Sequence, residues 1–234
     1  MLTVEDVFDA VEGLGGARWG NMEAVLSDGK DLLDEISSKP ELLSKLIGCA
    51  REDVNARSNF ERHRLLDKLH LFESPTNGVR LRLHISTNEH KDRPHDHRFS
   101  FVSKILTGGY MHTRHELEVD DWGLIDDTVQ NDTEAVPLNA RVIPTFQTYQ
   151  APGSLYSLHH SEIHTTFTRP QSVSLFLRGP AEKQRSIITE RETSKAWWRY
   201  GKTEEPQARR QKVSMDERYL DELLSNIRSI GVIK

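Results

Sequence analysis

The 234-residue chain reads as a mainly β protein, an antiparallel sandwich or small barrel with helices before it and one helix after it. Three observations predict this. Apolar residues recur at helical spacing over about the first 65 positions, strict alternation replaces that period in the middle, and helical spacing returns near the C-terminus. Turn signals punctuate the middle region so closely that no helix fits between the strands, which implies antiparallel neighbours. With 36% hydrophobic residues there is enough apolar sequence for a core of ordinary size.

The first helix is expected over Val4 to Leu14, capped by Thr3, with Val4, Val7, Val11 and Leu14 on one face and Gly15-Gly16 ending it. A second follows around Asn21 to Ile36. The next opens at Ser38-Lys39-Pro40-Glu41, where proline suits a first turn, and Leu42, Leu43, Leu46 and Ile47 form its stripe. Strands are expected at Val79 to Ile85, Phe99 to Leu106, Ile163 to Thr168 and Ser172 to Leu177, with one or two short ones around Ser186 to Thr189. Ser74-Pro75-Thr76-Asn77-Gly78, Gly108-Gly109, Ala151-Pro152-Gly153 and Arg169-Pro170-Gln171 mark reversals. The tract Leu117 to Ala140 reads as a strand plus a polar loop, and Gly201 to Val213 as a polar linker carrying the Arg209-Arg210-Gln211-Lys212 cluster. Ser214-Met215-Asp216-Glu217 is a capping box for a last helix whose apolar face is Leu220, Leu223, Leu224 and Ile227. The expected organisation is a helical region over 1–64, a β-barrel over 65–190, and a linker with the C-terminal helix over 191–234.

Charge and composition exclude several classes of function. Lys plus Arg number 31 against 36 Asp plus Glu, a net charge of -5, so the basic excess that drives phosphate-backbone binding is missing and nucleic acid is not an expected partner. No window approaches the roughly 18 to 20 apolar residues of a membrane span, and the acidic start Leu2-Thr3-Val4-Glu5-Asp6 is unlike a signal peptide, so no membrane partner is expected and a soluble, cytoplasmic protein is. Cys49 is the single cysteine, which excludes an intramolecular disulfide and cysteine-based metal sites. Against this stand 11 histidines, clustered mid-chain.

Pro94-His95-Asp96-His97 sets two histidines at i and i+2. On a strand they share a face about 7 Å apart at the backbone, so both rings reach one metal ion. His164, eleven residues after Gly153, supplies a third, with His159 and His160 as rival ligands. Folding the chain at Arg169-Pro170-Gln171 as a hairpin favours His164, because it then lies opposite Phe176, well inside the sheet. By period two, Ser174 and Arg178 share that inward face. Three neutral imidazoles leave the full charge of a divalent metal and open positions on one side, which suits Fe(II) binding substrate and dioxygen together; Zn, Mn, Ni or Cu would also be held by such ligands.

His95-x-His97, four residues to Val102 and six more to Gly109 resembles the first motif of the cupin superfamily, and Gly153, His159, Ser161 and His164 resemble the second. Glu89 stands at the leading glycine of the first motif, Val102 at its metal-binding glutamate, and His159, Ser161 and Thr168 at the Pro, Gly and Asn of the second. The resemblance covers roughly Val79 to Pro180 and implies a double-stranded β-helix, the cupin jelly roll. Three histidines without the glutamate are similar to the thiol dioxygenase branch, of which cysteine dioxygenase is the familiar member. Ser174 matches the serine beside the metal in that branch, while Phe176 and Arg178 stand at its histidine and tyrosine. The implied function is a mononuclear non-haem iron oxygenase acting on a small polar, anionic molecule. Rivals are a redox-neutral metal-dependent isomerase or lyase and a non-enzymatic small-ligand-binding protein.

Further candidates follow from strand parity. Arg80, Arg82 and His84 share one face of their strand with the aliphatic residues opposite; if the helices cover the aliphatic face, Arg82 looks into the barrel toward a substrate carboxylate. Tyr110 and His112 share a face and are pocket candidates. Arg178, unable to shed its charge, would anchor an anionic substrate group. Trp197-Trp198 reads as packing or a lid edge. The partners of this reading are a small-molecule substrate and dioxygen, and it allows a homodimer.

Overall fold

A computed structural model describes residues 2–63, 66–119, 136–137, 140–190, 192, 195–200 and 213–234. The expected linker, its basic cluster, the side chains of Trp197-Trp198 and most of the Leu117 to Ala140 tract lie outside the described residues.

Five α-helices are described: α1 (Val4–Gly13), α2 (Met22–Ser37), α3 (Pro40–Glu52), the short α4 (Val54–Ser58) and α5 (Glu217–Ser229). Each long helix starts where its cap dictates. Thr3 and Asp6 form a reciprocal capping box on α1, Asn21 accepts the Ala24 N–H on α2, and Pro40 opens α3. The C-terminal helix starts later than the sequence suggests. Ser214 is held in a strand opposite Glu61, so Asp216 becomes the cap and accepts the Tyr219 N–H.

The strands are β1 (Glu61–Arg62), β2 (Asp67–Glu73), β3 (Arg80–Ser86), β4 (His90–Lys91), β5 (Phe101–Thr107), β6 (Tyr110–Val119), β7 (Val136–Pro137), β8 (Ala140–Gln150), β9 (Leu155–Leu158), β10 (Ile163–Thr168), β11 (Ser172–Arg178), β12 (Arg185–Glu190), β13 (Lys195–Tyr200) and β14 (Val213–Ser214). They form a seven-stranded sheet ordered β14-β1-β2-β3-β11-β5-β9, a four-stranded sheet ordered β4-β10-β6-β8, and a three-stranded set β12-β13-β7. All the pairings are antiparallel. From β3 to β6 and again from β8 to β11 the chain alternates between the two larger sheets, with β6 and β8 paired in the same one, so β3-β11-β5-β9 faces β4-β10-β6-β8. That order is the double-stranded β-helix, the jelly roll of two interlocked four-stranded sheets.

The topology corrects the expected hairpin. β10 pairs with β4 and β6 in one sheet, and β11 with β3 and β5 in the other, so Phe176 lies opposite Arg82 and Ser103, and His164 opposite Arg114. Arg169–Gln171 carries the chain across the barrel, with Gln171 at a positive φ of 66°. Each strand already has two partners, which leaves no edge for a β10–β11 pairing. Both nevertheless point the expected residues inward.

Strand β11 is buried along its whole length because it has a different neighbour on each face. Its Val173, Leu175 and Leu177 join Leu81, Leu83 and Ile85 of β3 against Val7, Val11, Leu33, Ile36, Leu43 and Leu46 of the helices. Each such side chain contributes about 1.5–3 kcal/mol on burial. The helices thus fix the outer face of the large sheet, and the alternate residues of β3 and β11 are left for the interior.

Candidate metal centre and cavity

A cavity of about 530 Å³ lies inside the barrel, within the size range of small-molecule sites. His95, His97 and His164 line it, as do Arg82, Arg178 and Tyr110.

The His95–His97 segment is not the regular strand its spacing suggests; β5 begins only at Phe101. The segment is wedged between β10 and β12. His95 and His164 exchange backbone hydrogen bonds of 3.0 and 2.9 Å, and the Asp96 N–H donates to the Ile187 carbonyl at 3.1 Å. The Asp96 carboxylate accepts the Ile187 N–H at 2.7 Å and pairs with Lys183. With Asp96 tied to β12, the two flanking rings turn together toward the cavity.

The three rings cluster with centroids 4.6–5.0 Å apart. One ring nitrogen from each falls within 4.8 Å of the others, and Nε2 of His97 is 2.8 Å from Nε2 of His164. Ligand nitrogens on one divalent ion sit roughly 3 Å apart, so the spacing fits a metal. So does the chemistry of the donors. Nδ1 of His95 donates to the Arg93 carbonyl at 2.8 Å, and Nδ1 of His164 lies 3.0 Å from Nε2 of His112, which leaves Nε2 of both rings for an ion. Burial first, and then the neighbouring histidines, holds His97 and His164 well below the ordinary histidine pKa. These two rings are therefore neutral, as metal ligands must be.

His159 and His160 lie in the turn before β10 and group with Glu182 instead. Nδ1 of His159 is 2.7 Å from Ser161 Oγ, and Nδ1 of His160 is 3.2 Å from the Glu182 carboxylate. Of the three rivals, His164 is the one that joins His95 and His97.

Counting along the motif sets Val102 at the glutamate position, but Val102 is buried in the helix-side core, close to Gly29 of α2. Its neighbour Phe101 faces the histidines, edge-on to His97 at 5.2 Å. The irregular stretch before β5 shifts the parity by one. A hydrocarbon stands where a carboxylate ligand would.

His112, expected as a pocket group, is buried behind His164 and pushed down to about 4 by burial, then by Arg114. Tyr110 bonds hydroxyl to hydroxyl with Tyr156, and burial holds both phenols protonated, Tyr156 pushed up to about 12. Tyr156 on β9 and Phe99 also line the cavity and were not singled out from the sequence, because Leu155–Leu158 is too short to show a period. The β3–β11 wall carries the cations. Arg178, only 6% exposed, has its guanidinium 4.1 Å over the Phe99 ring, and Arg82 lines the same wall. Burial, then Arg80 and Arg82, pushes Arg178 down to about 8; burial pushes Arg82 down to about 10.

No family model matches the chain, and no curated protein matches it by sequence. Solved structures similar to it include KdgF from a Halomonas species (14% identity, TM-score 0.35, covering 54% of this chain and 92% of that one). Others are an RmlC-like cupin from Shewanella frigidimarina (14%, 0.35, 56% and 91%) and the DMSP lyase DddQ from Ruegeria pomeroyi (10%, 0.36, 57% and 58%). Among the described residues no helix is long and apolar enough to cross a membrane.

Proposed function

We propose that this protein is a mononuclear non-haem iron oxygenase acting on a small polar, anionic molecule, of the kind its three-histidine motif resembles. The observation that carries this reading is the convergence of His95, His97 and His164 on a barrel cavity whose opposite wall bears Arg82 and Arg178. His95, His97 and His164 would hold the Fe(II), which would supply activation of dioxygen beside a bound substrate.

The chain's own residues do the rest. His112 takes the proton at His164 Nδ1 as a hydrogen bond and keeps Nε2 free to ligate. Arg82 and Arg178 bind the anionic part of the substrate. The protonated Tyr110–Tyr156 pair offers a hydroxyl donor to substrate oxygen. Phe99, Phe101 and Phe176 exclude water from the interior, which strengthens every charge interaction there.

Anaerobic reconstitution of the full chain with Fe(II), followed by a screen of small anionic compounds for substrate-triggered oxygen uptake, tests the reading. Near-stoichiometric iron and oxygen consumption are expected. Turnover by the zinc-loaded protein without oxygen would move it to redox-neutral lyase or isomerase chemistry; metal whose loss unfolds the chain without any turnover would make it a binding protein.

A further inference from the structure

We propose that the molecule bound in the cavity carries a dianionic oxyanion group of phosphate type, held jointly by Arg82 and Arg178 on the wall that faces the histidines. This deepens the small-anion reading above and rests on it.

The register of β3 against β11 builds the site. Arg80 lies opposite Arg178, Arg82 opposite Phe176 and His84 opposite Ser174, so the inward residues of two adjacent strands form one polar face. Arg82 and Arg178 are diagonal neighbours on it, roughly 7 to 8 Å apart at the backbone and within joint reach of one ligand group. The aliphatic alternates of the same strands are locked under the helices, so neither arginine can turn outward.

Neither guanidinium has a hydrogen bond or ion pair among the described residues, and Arg82 Nε, Arg178 Nε and His84 Nε2 are buried without a partner. The nearby carboxylates are engaged elsewhere: Glu61, the carboxylate that acts most on Arg82, with Lys68 at 3.9 Å, Glu73 with Arg80, Asp96 with Lys183, Asp92 beside His95, Glu182 with Ser100 and His160. A buried cation without an anion is unfavourable, and two side by side are more so, which Arg178 registers in its depressed pKa. An unsatisfied buried group in a native structure calls for an explanation, and a bound anion supplies one for this pair.

The charge count selects the ligand. One carboxylate balances one guanidinium and leaves the other exposed to repulsion. A doubly charged oxyanion balances both and has enough oxygens to accept from both forks. Phe99 covers a face of the Arg178 guanidinium, and the donors of this planar group lie in its edge, which stays available. The dianion therefore lies on one wall of the cavity and the histidine nitrogens on the other, and the ligand spans the space between them.

Isothermal titration of the full-length protein with inorganic phosphate, and separately with acetate, tests this without any need for turnover. Phosphate is expected to bind at least tenfold more tightly than acetate. Arg82→Met and Arg178→Met are each expected to weaken phosphate at least tenfold while melting at or above the wild-type temperature, since each removes an uncompensated buried charge; Arg82→Lys and Arg178→Lys, which keep the charge and guard against misfolding of the Met variants, should fall between. His97→Ala should bind phosphate as wild type does, which separates this site from the metal. Equal affinity for acetate and phosphate, unchanged phosphate binding in the folded Met variants, or loss of it in His97→Ala alone would overturn the proposal, whatever metal the protein holds.

Discussion

The two walls of the cavity are both polar and both buried, yet they are finished differently. On the histidine wall most ring nitrogens have an assigned place: His95 Nδ1 on a carbonyl, His164 Nδ1 on His112, and two Nε2 atoms against each other. On the arginine wall Nε of Arg82 and Nε of Arg178 are buried without a hydrogen-bond partner among the described residues. Interiors tolerate polar groups when every bond is made. The histidine wall is thus pre-organised by its own protein, while the arginine wall is left for a ligand to complete. On the proposed reading one holds a cofactor in place and the other recognises what enters.

If that division is right, variants should sort by wall. The largest effect is expected for His95→Ala, His97→Ala and His164→Ala, each of which should abolish metal retention, because an open site cannot spare one of three ligands. His159→Ala and His160→Ala should keep it. Elemental analysis of purified protein reads the result; retention in His164→Ala with loss in His159→Ala would break the assignment.

On the other wall, Arg178→Met should keep fold and metal but lose about 2–5 kcal/mol of apparent transition-state stabilisation, the range for breaking a desolvated charge pair. Steady-state kinetics with the substrate found by oxygen uptake checks it, and Arg178→Lys should be less damaging. A smaller effect is expected behind the histidines. His112→Phe should weaken metal binding about 10- to 100-fold, as for other residues that orient a ligand, measured by competition with a chelator.

A further effect is one of pH. His97, His112 and His164 have folded-state pKa values below the unfolded value near 6.5. Below that pH the unfolded chain takes up protons that the folded chain does not, so stability is fully present above about 6.5 and declines as pH falls toward 4. Melting temperatures of the metal-free protein should follow that slope, and His112→Phe should make it shallower.

Much of this was legible in the sequence. Period-two alternation over Val79 to Ile85 and Ser172 to Leu177 located the strands and the inward faces, and the aliphatic alternates identified the side the helices would cover. The spacing of His95 and His97 singled out two rings that do cluster with His164, even though their segment is not a regular strand, because Asp96 between them has its own anchor on β12. What was not legible depends on long-range pairing. Arg169-Pro170-Gln171 reads the same whether a chain turns within a sheet or crosses between two, so the hairpin was expected and a crossing was found. The stretch before Phe101 lacks regular strand structure, which moved the inward position from Val102 to Phe101. Ser214 and Asp216 are both good caps, and only the pairing of Ser214 with Glu61 selects the second. His112 could be named as a pocket group but not placed behind His164, since nothing local says which strand will be its neighbour.

X-ray absorption at the iron edge of the Fe(II)-reconstituted protein tests the central claim most directly. The account predicts scattering from three imidazole rings in the wild type and loss of the bound-iron signal in His97→Ala. A site with two imidazoles or fewer in the wild type, or a spectrum unchanged by His97→Ala, would contradict it.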